Sequence, residues 1–509
     1  FVDLNSTSSE ITGLQFEPLV TMDSIKEEPI GLLAESWQVS KDQLTFTFKL
    51  RQFAKWSDGQ PITADDFIFY YDTIMDTKNL TTVYRIDLSR FERPEAIDTY
   101  TLKLTAKEKH WRNFWAAAGL TALPKHNLDG KDFNRIDSFS VTSGPYSVVE
   151  NKVNRYVLLK RNANWWGRKL NYNLGKYNFD YLRYRFMEDR DKALETFKGG
   201  LFDAYPIYTA KIWALQTNFD KIDKNYIVKK EIRNQEPRGF QGFAINLRKT
   251  KFQDLKVRQA LSLLLNRKVM NEKLMYNQYI LLNSYFPDIY NGYVNPNRPV
   301  TEYDPQKAAE LLKSAGYKVS DKGRLEKDGQ PLKISFLTGM TDLRHLNLYI
   351  EDLKKVGIDA SIEQLNQSTI RDRLNSYDYD LYWISWGAGR LKDPEGQYES
   401  SQADQPASNN LPGVKDQEVD RLINVLKQET NPGMRNAMIR SLDNRLNIIQ
   451  PYILLWQSDA TRILYWNKFG YPEQPFGRYG REDAIPVYWW YDSKKAKELE
   501  EAMKAGKNF

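Results

Sequence analysis

The sequence predicts an α/β fold in two lobes, and three observations carry that prediction. At 509 residues the chain is longer than one hydrophobic core ordinarily serves, so at least two lobes are expected. The first third reads mainly as strands, whereas 241–457 alternates strands with helices, the pattern of an α/β lobe. The tail, 458–509, is too short for a domain and most simply returns to the first lobe. Two lobes joined by more than one crossing imply a hinge and a cleft, where ligands usually bind.

The elements follow in order. Residues 44–50 alternate apolar and polar side chains, as a half-buried strand does. Ser57, Asp58 and Gly59 make a turn. Thr63 is an N-cap with Asp66 three residues on, a capping box, and Phe67, Tyr70, Tyr71 and Ile74 then recur at helical spacing. Strands are expected at 100–104, 146–159 and 182–186, and an apolar one at 242–247. Val257, Leu261 and Leu264 mark an amphipathic helix, with Lys256, Arg258 and Arg267 expected to face water. Asp304 and Pro305 start a helix as N-cap and first residue, and Gly316 stops it. Asp328-Gly329 signals a hairpin before the apolar run 332–337. A helix ending near Gly357, a strand at 360–365, a short helix and a strand at 379–386 follow. Two helices lie between Asp416 and Ile449. A last apolar strand spans 451–456, and the chain beyond it reads as loop-rich and aromatic.

Composition narrows the function. Lys+Arg 73 against Asp+Glu 66 leaves +7, mild for this length, and the basic residues are scattered, which argues against nucleic acid. There is no cysteine, so thiol catalysis, thiolate metal sites and disulfides are excluded. The absence of thiols is compatible with an oxidising compartment. Three histidines, His110, His126 and His345, make hydrolytic triads and His-rich metal sites improbable. Aromatic residues are 13%, a high load that serves either core or a recognition surface. No run of 18 apolar residues occurs. The chain begins with Phe1, so a processed product is expected, with the opening stretch short of a full first strand.

One block, Leu33-Ala34-Glu35-Ser36-Trp37, the 44–50 strand and residues 56–67 (Trp-Ser-Asp-Gly-Gln-Pro-Ile-Thr-Ala-Asp-Asp-Phe), is strand–turn–helix in physical terms. It resembles the signature block of the bacterial extracellular solute-binding proteins of the peptide and nickel class, family five, the receptors of ABC importers. The resemblance continues in order through Ser143-Gly144-Pro145-Tyr146, residues 160–167, Ala193 to Gly200 with Asp203, and Phe252-Gln253-Asp254 with residues 257–261. Residues 234–243, Asn246-Leu247-Arg248, residues 276–279, residues 283–286 and residues 166–180 resemble the Yej-type oligopeptide and microcin C binding proteins within it. The resemblance implies a two-lobe periplasmic binding protein of the Venus-flytrap kind (class II, cluster C) that closes around its ligand. Lobe one would comprise 1–240 plus 458–509, with an inserted subdomain at about 17–130. Lobe two would comprise 241–457.

The same resemblance supplies the candidate ligand contacts. Gln235, Arg238, Phe240 and Gln241 lie on the expected crossing between lobes, and Trp456, Gln457 and Ser458 on the return. Ser143 and Tyr146 belong to a lobe-one loop that faces the opening in the family. For most single aromatic residues core packing is the simpler expectation. Trp386, with Gly387, is the exception, because an apolar strand should deliver it to the cleft. Peptide receptors of the family carry an aspartate just beyond this Trp, which pairs with the ligand's α-ammonium group. Here that position falls on Gly389 or Arg390, the loop is one residue longer, and Asp393 aligns with a later Asp-Pro. Arg390 suits a carboxylate or phosphate; the alternative is that it is solvated or pairs with Asp393. On this basis Arg390→Ala should weaken an anionic ligand much more than Lys392→Ala. The run Glu188, Asp189, Arg190 is expected to be solvated or locally paired.

The leading expectation is therefore a peptide-class receptor that needs no cofactor. It would be a monomer in a bacterial periplasm, or tethered outside a membrane through a removed N-terminal lipid signal. Its closed form would dock to transmembrane permease subunits. Within binding proteins the alternative is a receptor for a muropeptide, a sugar or an opine-like conjugate, since the Trp count (13) suits sugar stacking. A carboxylate-based glycosidase would need two acids across a groove, and no motif selects two from the 66 present. A structural or chaperone-like surface protein is the remaining class.

Overall fold

The computed structural model describes residues 6–23, 26–187, 189–340 and 342–509, so Glu188 of the charged run lies outside the described residues. The chain divides into two compact units. Unit one comprises Phe1–Tyr208, Thr217–Glu236 and Thr461–Phe509; unit two comprises Thr209–Gln216 and Pro237–Ala460. The lobe limits expected at 240/241 and 457/458 compare with crossings here at 236/237 and 460/461. The segment Thr209–Gln216, kept in lobe one by the sequence reading, belongs to unit two and ends in a π-helical turn, Ile212–Gln216.

Unit one opens, among the described residues, with the helix Ser6–Gln15. A four-stranded antiparallel sheet follows in the order Ala34–Val39, Thr45–Leu50, Thr101–Thr105, Glu95–Asp98. Phe46, Phe48 and Leu50 are buried and Lys49 is exposed, so the predicted alternation is the observed one. The helix Ala64–Met75 has its capping box, Thr63 with Asp66. Asp66 also accepts the Lys125 N–H at 3.1 Å, which ties the helix start to the next segment. The core here takes in Phe16, Phe133, Val141, Trp165 and Trp166, so the subdomain expected at 17–130 shares its core with the chain that follows it.

Two expectations for unit one need correction. The single strand read over 146–159 is a hairpin, Tyr146–Lys152 with Tyr156–Arg161, turning where Asn154 adopts φ 58°. An Asn tolerates that left-handed conformation, and no Gly or Pro marks the turn in the sequence. The tail read as loop-rich holds a 13-residue helix, Ser493–Ala505, and the strand Thr461–Trp466. That strand is the middle of a three-stranded antiparallel sheet between Ala204–Pro206 and Ile227–Ile232, buried along its whole length. Burial of both its faces explains its largely apolar, non-alternating sequence.

Unit two is built on a mixed five-stranded sheet in the order Asp359–Gln364, Lys333–Thr338, Leu381–Ser385, Gln241–Ile245, Tyr452–Leu454. The first three strands run parallel and the last two pairings are antiparallel. Alternate residues of each strand point to opposite faces. Phe243, Ile245, Ile334, Phe336 and Ile453 enter one core, while Ala244, Leu337 and Tyr452 enter another. Helices cover both faces. Leu255–Leu263, Pro305–Ser314 and Arg344–Lys355 contribute to the first core, and Gln417–Gln428 and Pro432–Ile449 to the second. The Asp304 cap accepts the Lys307 N–H at 2.9 Å, and Gly316 beyond the helix end adopts φ +92°. Asp328 and Gly329, at φ 52° and 72°, turn the predicted hairpin between Leu325–Lys327 and Gln330–Pro331.

Lys256 is exposed as expected, but Arg258 and Arg267 are buried, at 7% and 4% exposure. Their guanidinium groups satisfy backbone carbonyls instead of facing water. Arg258 donates to Ile449, Phe252 and Gln253. Arg267 donates to Leu282, Leu454, Leu455 and Thr301, and burial pushes its pKa down to about 10. Arg267→Met leaves those carbonyls short of a donor while removing a buried charge. The net expected loss is about 2 kcal/mol, read by urea denaturation. An unchanged or raised midpoint would show that Arg267 is dispensable for the fold.

Candidate functional site

In unit two the site candidates gather where two neighbouring strands end. Ser385 pairs with Gln241, so the chain leaving Leu381–Ser385 meets the chain entering Gln241–Ile245. The Trp386 N–H donates to the Phe240 carbonyl at 2.8 Å, and its indole N–H donates to the Tyr452 hydroxyl at 3.1 Å. Trp386 is half-buried and Gly387, Gly389 and Arg390 are exposed. This close crossing depends on Gly239, where a Cβ would fall 1.8 Å from the Trp386 carbonyl oxygen. The phenyl ring of Phe240 is buried edge-on against Tyr285 and Tyr452, at 5.4 and 5.1 Å between centroids. Gln241 is half-buried, and its side-chain oxygen accepts from the Trp383 indole at 3.3 Å.

Arg238 is 5% exposed and donates to the Ser458 carbonyl at 2.8 Å, so this crossing residue and the return crossing are joined within unit two. Its backbone N–H donates to Asp288 at 3.1 Å. Asp288 also takes the ammonium of Lys392, which is buried and reaches the Gly389 carbonyl at 2.8 Å. The expectation that Lys392 would be an indifferent comparison for Arg390 therefore needs correction. A lysine this deep is held in the fold by its carboxylate. Trp456 lies in the core at 4% exposure, beside Tyr279 and His345.

In unit one Gln235 is exposed, with its N–H on the Arg478 carbonyl at 2.9 Å and its side-chain oxygen on the Arg478 Nε at 2.6 Å. Ser143 is fully buried. Its hydroxyl accepts the Glu17 N–H at 2.9 Å, and its carbonyl accepts both the Trp165 and Trp166 indoles, at 3.0 and 2.8 Å. Tyr146 is fully buried and donates to the Phe179 carbonyl at 2.8 Å. Trp386, Gly387, Arg390, Gln235 and Gln241 thus keep accessible surface. The side chains of Ser143, Tyr146, Arg238, Phe240 and Trp456 are taken up by packing or backbone contacts.

Unit one also brings together ionisable groups that the sequence did not single out. Glu10 is pushed up to about 7 by burial and by Asp483 and Glu482, against a 2.7 Å hydrogen bond from the Tyr184 hydroxyl. Glu482 accepts from Tyr208, and Arg481 pairs with Glu236 at 3.2 Å and Glu482 at 3.5 Å. Glu17 is 6% exposed, and burial pushes its carboxyl up to about 8 while the Lys176 charge opposes the shift. Lys176 is pushed down to about 8 by its own burial, and its ammonium stacks 3.2 Å from the Tyr172 ring centroid. The adjacent Arg481-Glu482-Asp483 was the only sequence signal for the first group, and nothing linked it to Glu10.

Among the described residues, no cluster of three or more His, Asp or Glu side chains is arranged to hold a metal ion. No helix among them is long and apolar enough to cross a membrane.

Comparison with known proteins gives the family. The "Probable peptide-binding protein YejA" of Agrobacterium fabrum is 28% identical over 529 aligned residues, covering 94% of this chain and 85% of that protein. The peptidoglycan-binding protein YepA of the same organism is 25% identical, covering 91% of this chain and 83% of that protein. Among solved structures, the ABC transporter-associated periplasmic binding protein DppA of Helicobacter pylori, in complex with the peptide STSA, matches with a TM-score of 0.79. The match covers 97% of this chain and 95% of that chain at 20% identity, a likeness that speaks for the fold. The relatives are binding proteins, and the fold is the α/β fold of the periplasmic binding proteins. A model of the bacterial extracellular solute-binding proteins, family 5 (middle region), matches residues 28–409, and the chain belongs to that family.

Proposed function

We propose that this protein is the receptor of an ABC importer, that it captures a peptide or peptide conjugate, and that Arg390 pairs with a carboxylate of that ligand. The observation that carries the reading is the exposed Gly387, Gly389 and Arg390 beyond an anchored Trp386. The position where the resemblance implies an ammonium-binding aspartate falls on Gly389 or Arg390, and Arg390 brings a guanidinium to it. A planar fork of N–H donors suits a carboxylate, and it repels an α-ammonium group. The relatives named as peptide-binding and peptidoglycan-binding support a ligand with peptide bonds. The second of those names favours a muropeptide as the alternative ligand. The protein works outside the cytoplasmic membrane, delivers its ligand to permease subunits and performs no chemistry on it.

A receptor of this kind reads backbone atoms. Each net hydrogen bond contributes about 0.5–1.5 kcal/mol, and a handful with aromatic burial reaches roughly micromolar affinity. Native mass spectrometry of freshly purified protein, followed by denaturing release, tests the ligand class. A ladder of peptide masses is the expected result. A single mass containing amino sugar or diaminopimelate moves the assignment to muropeptides, and free glycan without amino acids removes the peptide reading. Arg390→Ala is expected to weaken binding of a peptide with a free C-terminal carboxylate by about ten-fold, leaving the C-terminal amide unaffected. Equal affinities in both proteins remove Arg390 from the site.

A further inference from the structure

Segment 386–392 contains two glycines and an exposed stretch, so its path depends on a few contacts. Gly387 and Gly389 have no side chains, a Cβ at Gly387 would meet nothing within 4 Å, and Arg390 and Leu391 are exposed. Such a stretch samples many backbone conformations unless contacts from outside restrict it. The contacts present are specific. At its start the Trp386 N–H and indole are bonded to Phe240 and Tyr452. At its end the Lys392 carbonyl accepts from Arg435 at 2.9 Å, and Arg435, itself 6% exposed, also holds the Leu426 carbonyl. Between them, the Lys392 ammonium folds back to the Gly389 carbonyl at 2.8 Å while paired with Asp288. The Lys392 and Asp288 side chains are 8% and 11% exposed, so the pair sits where electrostatic contacts are strong and a lone charge is costly.

We propose that Lys392, fixed by Asp288, is a positioning residue for ligand recognition. Its hydrogen bond to Gly389 sets the backbone path into Arg390, the residue read above as meeting a ligand carboxylate. The inference rests on the reading of Arg390 given above. Its physical content is preorganisation: a loop already in its binding path loses less conformational freedom when the ligand arrives.

Two measurements on the full chain separate this inference from its premise. The first is limited trypsin digestion without ligand, read by fragment masses. The Arg390–Leu391 bond lies in the exposed part of the loop. Lys392→Met, which itself removes the Lys392–Asp393 site, is expected to be cut at Arg390–Leu391 about ten-fold faster than the unsubstituted protein, with the remaining sites unchanged, and Lys392→Arg restores resistance. Equal rates at that bond overturn the proposal. The second is fluorescence titration with trialanine and with trialanine amide. Lys392→Met is expected to weaken trialanine by about ten-fold and to leave the amide unchanged, with Lys392→Arg again restoring binding. Equal weakening of both peptides, or of neither, overturns the positioning role. An unsubstituted protein that binds neither peptide, or both alike, removes the Arg390 premise and the proposal with it, even where the loop is released to trypsin. If Lys392→Met does not fold, the paired Asp288→Asn, Lys392→Met chain carries no charge at the pair and takes its place with the same expectations.

Discussion

Gly239→Ala is expected to destabilise unit two by about 4 kcal/mol or more and to displace Trp386. The added Cβ would lie 1.8 Å from the Trp386 carbonyl oxygen, 2.7 Å from its carbonyl carbon and 2.9 Å from the Gly387 carbonyl carbon. All of these are backbone atoms, so no side-chain rotation relieves the overlap. Retreat is closed on both sides. The Trp386 N–H is bonded to the Phe240 carbonyl at 2.8 Å, and the Phe240 ring is packed in the core at 2% exposure. Separating the two segments therefore breaks a hydrogen bond and opens a cavity. Gly387→Ala is the matched comparison, because a Cβ there meets nothing within 4 Å, and it should change stability by less than about 0.5 kcal/mol. Urea denaturation of both variants, followed by tryptophan fluorescence, decides the matter. A Gly239→Ala protein as stable as Gly387→Ala would mean that the two segments do not approach as described.

Glu17→Gln is expected to reverse a pH-dependent loss of stability. Burial raises the Glu17 carboxyl from its ordinary value of 4.5 to about 8. The folded protein therefore holds this proton more tightly than the unfolded chain does. Stability from this group is fully present below about pH 4.5 and falls as pH rises through about 8, at about 1.4 kcal/mol per pH unit in between. The gap between Glu17→Gln and the unsubstituted protein should widen in favour of the glutamine by up to about 4 kcal/mol from pH 5 to pH 8. Lys176, lowered to about 8, acts only above that pH, where its depressed pKa makes stability rise again. Glu10, raised to about 7, contributes to both proteins and cancels in the difference. Urea denaturation at pH 5, 6.5 and 8 reads the effect. Parallel pH profiles would show that the Glu17 carboxyl ionises as it does in the unfolded chain.

Much of the fold was legible because much of it is locally specified. The Thr63–Asp66 capping box, the Asp304 cap before Pro305 and the Asp328-Gly329 turn each act within a few residues, and each appears where the sequence places it. The alternation of residues 45–50 needs only a buried face to work against. The misreadings share the opposite character. The strand Thr461–Trp466 looked like part of an irregular tail because its partners, 204–206 and 227–232, lie more than two hundred residues away in sequence. Arg258 and Arg267 looked solvated because their charge was counted and their carbonyl partners could not be.

The candidate site divides along the same line. Trp386 at the end of an apolar strand, with glycines after it, was a candidate from the residues, their order and the resemblance, and Arg390 from the resemblance alone. That Ser143, Tyr146, Phe240 and Trp456 have their side chains in packing, and that Lys392 is tied to Asp288, could not. The sequence by itself determined the alternation of strands and helices, their caps and turns, and the membership of a family read through ordered short motifs. These are properties of neighbouring residues, with energies set within one or two turns of chain. Only the tertiary structure decided which charges are buried, which aromatic rings are core and that Lys392 meets Asp288 and the Gly389 carbonyl. Burial and ion pairing depend on which distant segments come together, and the pairing of residues 288 and 392 exists only once the chain between them has folded.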